Sequence, residues 1–207
     1  RLINYMKTRD QDLKWRLCDA YFSILVSSKK SSIIFEDLCL KCNVPYDEAK
    51  KIIPEDSIHN KFFFLKILIS RLDKETLEEF KTDISEDTIS STYDKILEGL
   101  TLRFEKFLEY RSAFRFMSNG TERRVENFFK LLQQNYLFMS DLLDLVENNP
   151  NCSMKTIKSV ALNILFIKAI EVFLKDESNN IDSTVRYLDK YLKDIEDIGV
   201  FSGIIKK

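Results

Sequence analysis

The chain has 207 residues and a net charge of −1, and 44% of its residues are hydrophobic and 31% charged. A near-neutral total argues against a globally basic nucleic-acid binder, and no apolar run reaches the roughly 18 residues of a membrane span. Only three Pro and four Gly interrupt the sequence, which predicts an all-α protein with short connections between helices.

The first predicted helix covers residues 10 to 27, because apolar side chains recur along it at helical spacing. These side chains are Leu13, Leu17, Ala20, Tyr21, Ile24 and Leu25. The polar residues 29 to 32 follow and predict a loop. Basic residues outnumber acidic ones in this part of the chain, which suits either a nucleic-acid surface or an ordinary solvated helix face.

Residues 32 to 54, SIIFEDLCLKCNVPYDEAKKIIP, have the pattern of two short helices joined by a tight turn. Ser32 suits the N-cap of a helix over residues 33 to 42, whose apolar side chains share one face. Asn43 tolerates the left-handed backbone conformation that ends helices.

The second short helix is predicted over residues 45 to 53. Pro45 suits the first position of a helix because its φ angle is already helical, and Pro54 ends the helix because proline lacks an N–H. Two short helices after a longer one predict a helix-turn-helix, in which the second helix can enter the major groove of DNA.

This stretch resembles the helix-turn-helix of the TetR (tetracycline-repressor) family of regulators. Asp37-Leu38-Cys39 stands where that family has Asp-Ile-Ala, Asn43-Val44-Pro45 stands at the Gly-Val-Ser turn, and Ile53-Pro54 ends the recognition helix. The resemblance implies an N-terminal three-helix DNA-binding module over residues 1 to 56. A larger C-terminal helical bundle over residues 57 to 207 would then bind a ligand and dimerise.

The resemblance also implies the residues that contact double-stranded operator DNA. Tyr46, Lys50 and Lys51 would face the groove from the second short helix. Lys29 and Lys30, in the preceding loop, would meet phosphates. The expected function is that of a homodimeric, ligand-responsive transcriptional regulator.

Residues 57 to 80 contain two dense apolar runs and predict a helix that joins the two halves. Ser85 is the predicted N-cap of a long helix, whose apolar stripe runs from Ile89 to Phe114. Gly99 lies inside this helix, where a close helix contact, a ligand against the backbone or chance would each explain it.

The run RFEKFLEYRSAFRF alternates aromatic residues with Arg103, Arg111 and Arg115. Aromatic and basic residues together are typical of single-stranded nucleic-acid surfaces. The aromatic residues nevertheless lie on the apolar stripe, so the pattern favours core packing with the arginines on its flank.

Three more helices are predicted, over residues 121 to 147, 153 to 175 and 181 to 198. The middle one is apolar on nearly all sides, so one face would cover the core and the other would meet a second subunit. The resemblance likewise implies a homodimer through the last two helices. It also implies a small apolar ligand or lipid in the bundle, for which the candidate pocket residues are Phe104, Phe107, Tyr136 and Phe166.

A second interpretation rests on a similar group of proteins with the same fold, the ubiquinone-biosynthesis accessory proteins. These bind an isoprenoid lipid and have a degenerate helix-turn-helix that does not bind DNA. Pro45, Asp47 and Glu48 favour this interpretation, because two carboxylates at the start of the second short helix would face phosphates. The tail over residues 199 to 207 suits either weak contact with an anionic membrane or a frayed terminus. A helical interaction domain with neither activity is a third interpretation.

The sequence predicts neither an enzyme nor a cofactor. The sequence has one His, four Gly and no glycine-rich phosphate loop, so it lacks the residues of the usual catalytic motifs. Cys39 and Cys42 have the spacing of a metal or redox pair, but no second pair accompanies them, so we expect both to fill the core. Reduced thiols are typical of the cytoplasm, which is the predicted location.

Overall fold

A computed structural model describes residues 2–28, 33–118, 125–147 and 152–201, and for 2–8, 125–128, 152–153 and 198–201 only the backbone is described. Within these ranges the chain forms nine α-helices and one short 3-10 helix, and no strand. The prediction of an all-α fold is therefore confirmed.

The helices follow one another along the chain with short connections. They are α1 (Leu2–Ser28), α2 (Phe35–Cys42), α3 (Tyr46–Ile52), the 3-10 helix (Glu55–His59), α4 (Lys61–Glu86), α5 (Thr92–Leu108), α6 (Arg111–Ser118), α7 (Val125–Val146), α8 (Cys152–Lys175) and α9 (Asp182–Phe201). Among the residues described, none of these helices is both long enough and apolar enough to cross a bilayer.

The chain divides into two compact units. The first comprises Arg1–Arg71 and Ser112–Glu122, and the second comprises Leu72–Arg111 and Arg123–Lys207. The predicted domain boundary after residue 56 falls inside the first unit, which also takes in the beginning of α4.

The core of the first unit lies between α1 and the beginning of α4. The rings of Tyr21 and Phe64 stack with centroids 3.8 Å apart, and the Cys18 thiol donates a hydrogen bond of 3.3 Å to the Phe64 carbonyl. Arg71 of α4 also contacts α1. Its guanidinium donates a hydrogen bond of 2.7 Å to the Asp19 carboxylate and lies 5.5 Å from the centre of the Trp15 ring.

The boundaries of the three N-terminal helices differ from the prediction, and α3 is one residue shorter at each end than the predicted 45 to 53, with Pro45 at its N-cap rather than at its first position. α1 begins at Leu2, eight residues before the predicted start at residue 10. α2 begins at Phe35, and Ile34 rather than Ser32 occupies its N-cap, without a capping side-chain hydrogen bond. Ser32 itself lies outside the described residues.

The prediction of one long helix starting at Ser85 is wrong, because Ser85 lies inside α4. The Asp87 carboxylate accepts hydrogen bonds of 2.9 Å from the N–H groups of Ile89 and Ser90, which forms a turn after α4. The Ser90 side chain, together with these two N–H groups, lowers the pKa of Asp87 to about 2.

α5 begins after Ser91 because Ser91 and Asp94 form a capping box. The Ser91 hydroxyl accepts from the Asp94 N–H, and the Asp94 carboxylate accepts from the Ser91 N–H, each over 3.2 Å. Ser85 has Thr88 at the equivalent position, and threonine cannot complete a capping box.

The second unit is built from α5, α7, α8 and α9 together with the end of α4. α7 packs on α8 and α8 on α9, while α5 contacts both α7 and α9. The loop between α8 and α9 is held by Arg111, whose guanidinium donates hydrogen bonds of 2.6 Å to the carbonyls of Asp176, Ser178 and Asn180. This guanidinium also lies 4.8 Å from the centre of the Phe173 ring.

Gly99 lies where α5 packs closely against α7. A Cβ atom at this position would lie 2.5 Å from Cδ1 of Leu142, a fully buried side chain on α7. Of the three explanations for this glycine, a close helix contact therefore agrees with the structure.

Gly99→Ala is expected to lower the free energy of unfolding. Overpacking against the buried Leu142 costs about 1–3 kcal/mol and the helix-propensity gain is about 1 kcal/mol, so we expect a net loss of up to about 2 kcal/mol. In a Leu142→Ala background the added methyl group has room, so the same substitution should raise stability relative to Leu142→Ala alone. Urea unfolding followed by circular dichroism measures this cycle, and an equal loss in both backgrounds would contradict the role of Leu142.

Candidate functional site

The turn between α2 and α3 lies at the three residues predicted for it. Asn43 has φ 53° and ψ 52°, in the left-handed region that asparagine tolerates better than most residues. Its N–H donates to the Leu40 carbonyl over 3.1 Å, and the Val44 N–H donates to the Cys39 carbonyl over 3.0 Å. Pro45 then occupies the N-cap of α3 with ψ 138°. These bonds satisfy the end of α2 and set the direction of α3.

The inner faces of α2 and α3 pack on α1. Leu38 of α2 and Ala49 of α3 are fully buried, and both helices contact α1. Arg16 of α1 donates to the Cys42 carbonyl at the end of α2 over 2.8 Å, and the Cys42 thiol donates to the Arg16 carbonyl over 3.3 Å. The two bonds tie α2 to α1.

Cys39 and Cys42 both belong to this packed side of α2. Burial raises the pKa of each thiol. Thiols with raised pKa values are poor nucleophiles and poor metal ligands at neutral pH. Across the described parts of the chain, no group of three or more His, Cys, Asp and Glu side chains is arranged to hold a metal ion.

The five residues predicted to contact DNA divide into two sets. Tyr46, Lys50 and Lys51 lie on α3, where both lysines are exposed and Tyr46 is half-buried. The Tyr46 ring packs edge-on against Phe35 of α2, with centroids 5.2 Å apart. Lys29 and Lys30 lie outside the described residues.

Tyr46, Lys50 and Glu55 form a polar group on the surface of α3, here called the Glu55 cluster. The Lys50 ammonium lies 2.7 Å from Oε2 of Glu55 and 5.7 Å from the centre of the Tyr46 ring. The nearby Glu55 carboxylate raises the pKa of Tyr46, because it favours the protonated hydroxyl group. The hydrogen bond to Glu55 raises the pKa of Lys50, and Lys50 and Tyr46 lower the pKa of Glu55.

The two carboxylates at the start of α3 have different surroundings. Glu48 lies 2.7 Å from the guanidinium of Arg9 on α1, whereas Asp47 is exposed to solvent. Negative charge at a helix N-terminus is favourable for the helix dipole. Arg9 therefore balances one of the two charges that would repel DNA phosphates.

Three of the four predicted ligand-binding residues lie together in the second unit. The rings of Phe104 and Phe166 stack with centroids 4.5 Å apart, and Phe107 meets Phe104 at 6.2 Å. Phe173 lies 5.3 Å from Phe104. All four rings are buried, so they pack on one another, while Tyr136 is half-buried on α7.

Arg103 lies in the middle of this aromatic cluster, with only 1% of its surface exposed. Its Nε donates to the Asp73 carboxylate over 2.8 Å, and its NH1 donates to the Asn135 side chain. The guanidinium carbon lies 3.9 Å from the centre of the Phe138 ring and 4.3 Å from that of Phe166.

Burial dominates the ionisation of the pair. It raises the pKa of Asp73 and lowers that of Arg103, although each group is stabilised in its charged form by the other. The Asn135 amide continues the network to the Asn163 side chain on α8. A buried charge is tolerated here because several polar and aromatic partners surround it.

The prediction that the arginines lie on the flank of the core is wrong for Arg103 and Arg111, which are both buried. A signal was present for Arg103, since it lies three residues after Leu100 and four before Phe107, at the spacing of the apolar stripe. For Arg111 the partners are carbonyl groups of a loop that is distant in sequence, which no local pattern reveals.

Comparison with known proteins gives no family: no family model matches this sequence, and no curated protein matches it significantly.

Arg103→Met is expected to lower the free energy of unfolding by about 3–5 kcal/mol, because Asp73 would remain buried without its cation. The pKa of Asp73 in the folded variant should then rise further above its unfolded value. Protonation favours the folded state in that case, so the loss should be smaller at about pH 5 than at about pH 7.

Urea unfolding at the two pH values measures this effect, and Arg186→Met provides the matched control. Arg186 is exposed on α9, so its replacement should change stability by less than about 0.5 kcal/mol. A loss for Arg103→Met that is the same at both pH values would contradict the assignment to Asp73.

Proposed function

We propose that the protein is a TetR-like transcriptional regulator that binds double-stranded operator DNA as a homodimer and responds to an apolar ligand or lipid. The observation that carries the proposal is the pair of short helices α2 and α3, which pack on α1 and meet at the left-handed residue Asn43. A short second helix with an exposed outer face is the element that a helix-turn-helix inserts into the major groove.

The chemistry of the outer face of α3 supports this proposal. Lys50 and Lys51 supply ammonium groups for phosphates, and Tyr46 supplies a hydroxyl group that can donate to phosphates or bases. Arg9 balances the charge of Glu48 across a distance of 2.7 Å, which reduces the repulsion expected at the start of this helix.

The proposed ligand site is the aromatic cluster of the second unit. Phe104, Phe107 and Phe166 offer apolar surface, and Tyr136 on α7 offers a hydroxyl group that could fix the polar end of a ligand. Because the three rings pack on one another, a ligand would have to separate them. Such a rearrangement of the packed core would couple ligand binding to the conformation of the bundle.

The proposed dimer contact is the outer face of α8. Ile157, Val160 and Ile164 share this face at helical spacing and are 51%, 46% and 59% exposed. Apolar side chains clustered on one face of a helix mark a protein interface more often than an isolated apolar residue does. On α9 the outer face is mainly charged apart from Tyr191, so α8 would contribute most of the apolar contact.

The alternative is a lipid-binding accessory protein of the ubiquinone-biosynthesis type. The exposed carboxylate of Asp47 and the ion pair between Lys50 and Glu55 favour this alternative, because both weaken the attraction of α3 for phosphate. The tail proposed for membrane contact extends from the end of α9 into residues 202–207, which lie outside the described residues. Either function places the protein in the cytoplasm and involves binding rather than catalysis.

Lys50→Ala/Lys51→Ala is expected to weaken DNA binding roughly tenfold and to lower the slope of log K against log salt by about one to two, because phosphate contacts are lost. Fluorescence anisotropy with a labelled duplex from the region upstream of the protein's own gene measures both quantities. Lys74→Ala/Lys81→Ala, which removes two exposed lysines from α4, is the control and should bind normally.

Equal losses in the two double variants would contradict the assignment of α3 as the DNA-reading helix. Absence of DNA binding by the unaltered protein, together with a stoichiometric lipid in its organic extract, would support the accessory-protein alternative instead.

Ile164→Asp is expected to convert a dimer into a monomer, because it places a charge in the middle of the apolar face of α8. Sedimentation equilibrium should then give the 24.4 kDa mass of one chain rather than twice that mass. Ile89→Asp is the matched control, since Ile89 is 95% exposed in the turn before α5. A dimer that persists in Ile164→Asp would exclude this face as the contact.

A further inference from the structure

We propose that Glu55 is an internal competitor of DNA, which limits the affinity of α3 by occupying Lys50. The inference rests on the proposed DNA-binding function and deepens it, because it names the residue that sets the strength of binding. Glu55 lies outside the pattern of the helix-turn-helix, beyond Pro54, and neither the periodicity nor the TetR resemblance assigns it a role.

The geometry of the Glu55 cluster carries the proposal. The Glu55 carboxylate accepts a hydrogen bond of 2.7 Å from the ammonium group of Lys50, one of the three side chains on α3 that are proposed to contact DNA. The ring of Tyr46 lies beside this pair, with its centre 5.7 Å from the Lys50 ammonium. Carboxylate and phosphate oxygens are equivalent acceptors for an ammonium donor. Glu55 therefore provides intramolecularly the same bond that a phosphate group would provide.

The position of Glu55 is fixed by its own segment rather than by α3. Pro54 precedes the 3-10 helix as its N-cap, and the Ser57 N–H donates to the Pro54 carbonyl over 2.9 Å. Ile58 anchors the same helix in the core, with 5% of its surface exposed. The carboxylate is consequently held beside α3 without being part of it.

The exposure of the cluster makes Glu55 a competitor rather than a block. The side chains of Lys50 and Glu55 are 54% and 46% exposed, and ion pairs of this kind contribute little to stability because water and salt screen them. Lys50 can therefore exchange Glu55 for a phosphate at low cost. Release of Glu55 offsets part of the gain from each phosphate contact of Lys50, which reduces the affinity and the number of counterions released.

Glu55→Gln tests the proposal because it removes the charge and keeps the shape and the hydrogen-bonding capacity of the side chain. Asp56→Asn is the matched control, since Asp56 is the exposed neighbour on the same 3-10 helix and carries the same charge. Both variants change the net charge by the same amount. A general change in the field of the protein would affect them equally.

The probe is a fluorescein-labelled duplex from the region upstream of the protein's own gene, titrated by anisotropy at several salt concentrations. Glu55→Gln is expected to bind about 3- to 10-fold more tightly at low salt, with a slope of log K against log salt that is steeper by about 0.9. Asp56→Asn should change the affinity less than about twofold. The thermal midpoints of both variants should match that of the unaltered protein.

A Lys50→Ala variant shows whether the gain in DNA affinity from Glu55→Gln depends on Lys50. In Lys50→Ala, the additional Glu55→Gln change is expected to give less than half of the gain seen with lysine present. A full gain in this background, or an equal gain from Asp56→Asn, would overturn the proposal, because the effect would then be one of net charge.

The outcomes also separate this inference from the proposed function. If the unaltered protein binds the duplex and Glu55→Gln binds it with the same affinity and salt slope, the competitor role is overturned and DNA binding stands. If only Glu55→Gln binds, the competitor role is supported in its strongest form. If neither protein binds at low salt, both proposals are overturned.

Discussion

Burial of the Arg103 guanidinium constrains the packing of the second unit, because a charge removed from water must be matched by neighbours on several sides. Asp73 on α4 and Asn135 on α7 accept its hydrogen bonds, and the rings of Phe138 on α7 and Phe166 on α8 cover its faces. Since these groups belong to three different helices, a shift of any one of them along its axis would leave a buried polar group unpaired or one face of the guanidinium uncovered. Apolar packing tolerates such shifts better, so the directional bonds give these helices one register.

The first unit uses the same pairing chemistry at its surface, with the opposite consequence. The Lys50–Glu55 and Arg9–Glu48 pairs are exposed to solvent, so their partners exchange easily and contribute little to stability. A binding surface needs groups that can change partners, whereas a core needs groups that cannot. The contrast in burial between these pairs and Arg103–Asp73 therefore separates the part of the chain proposed to bind DNA from the part that maintains the fold.

Much of the fold could be predicted because its determinants are local. Periodic apolar residues predicted the helices, and Asn43 with Pro45 predicted the position of the turn between α2 and α3. The break between α5 and α6 could not be predicted, since the bonds of Arg111 reach residues 65 to 69 positions further along the chain. The Glu55 cluster was missed because Lys50 and Glu55 lie on opposite sides of Pro54, where helical spacing no longer applies. Three of the predicted pocket residues do lie together. Their contacts with one another could not be predicted, because they depend on how the helices pack.

The buried thiol of Cys18 gives the first unit an intrinsic reporter of local opening. Its exposure is 1%, compared with 6% and 9% for Cys39 and Cys42, and burial raises its pKa well above the usual range. Thiol reagents react with the thiolate, so alkylation of Cys18 requires that α1 and the beginning of α4 first separate. The rate at which a thiol reagent labels Cys18 would therefore report the separation of α1 from the beginning of α4, and no cysteine would have to be introduced.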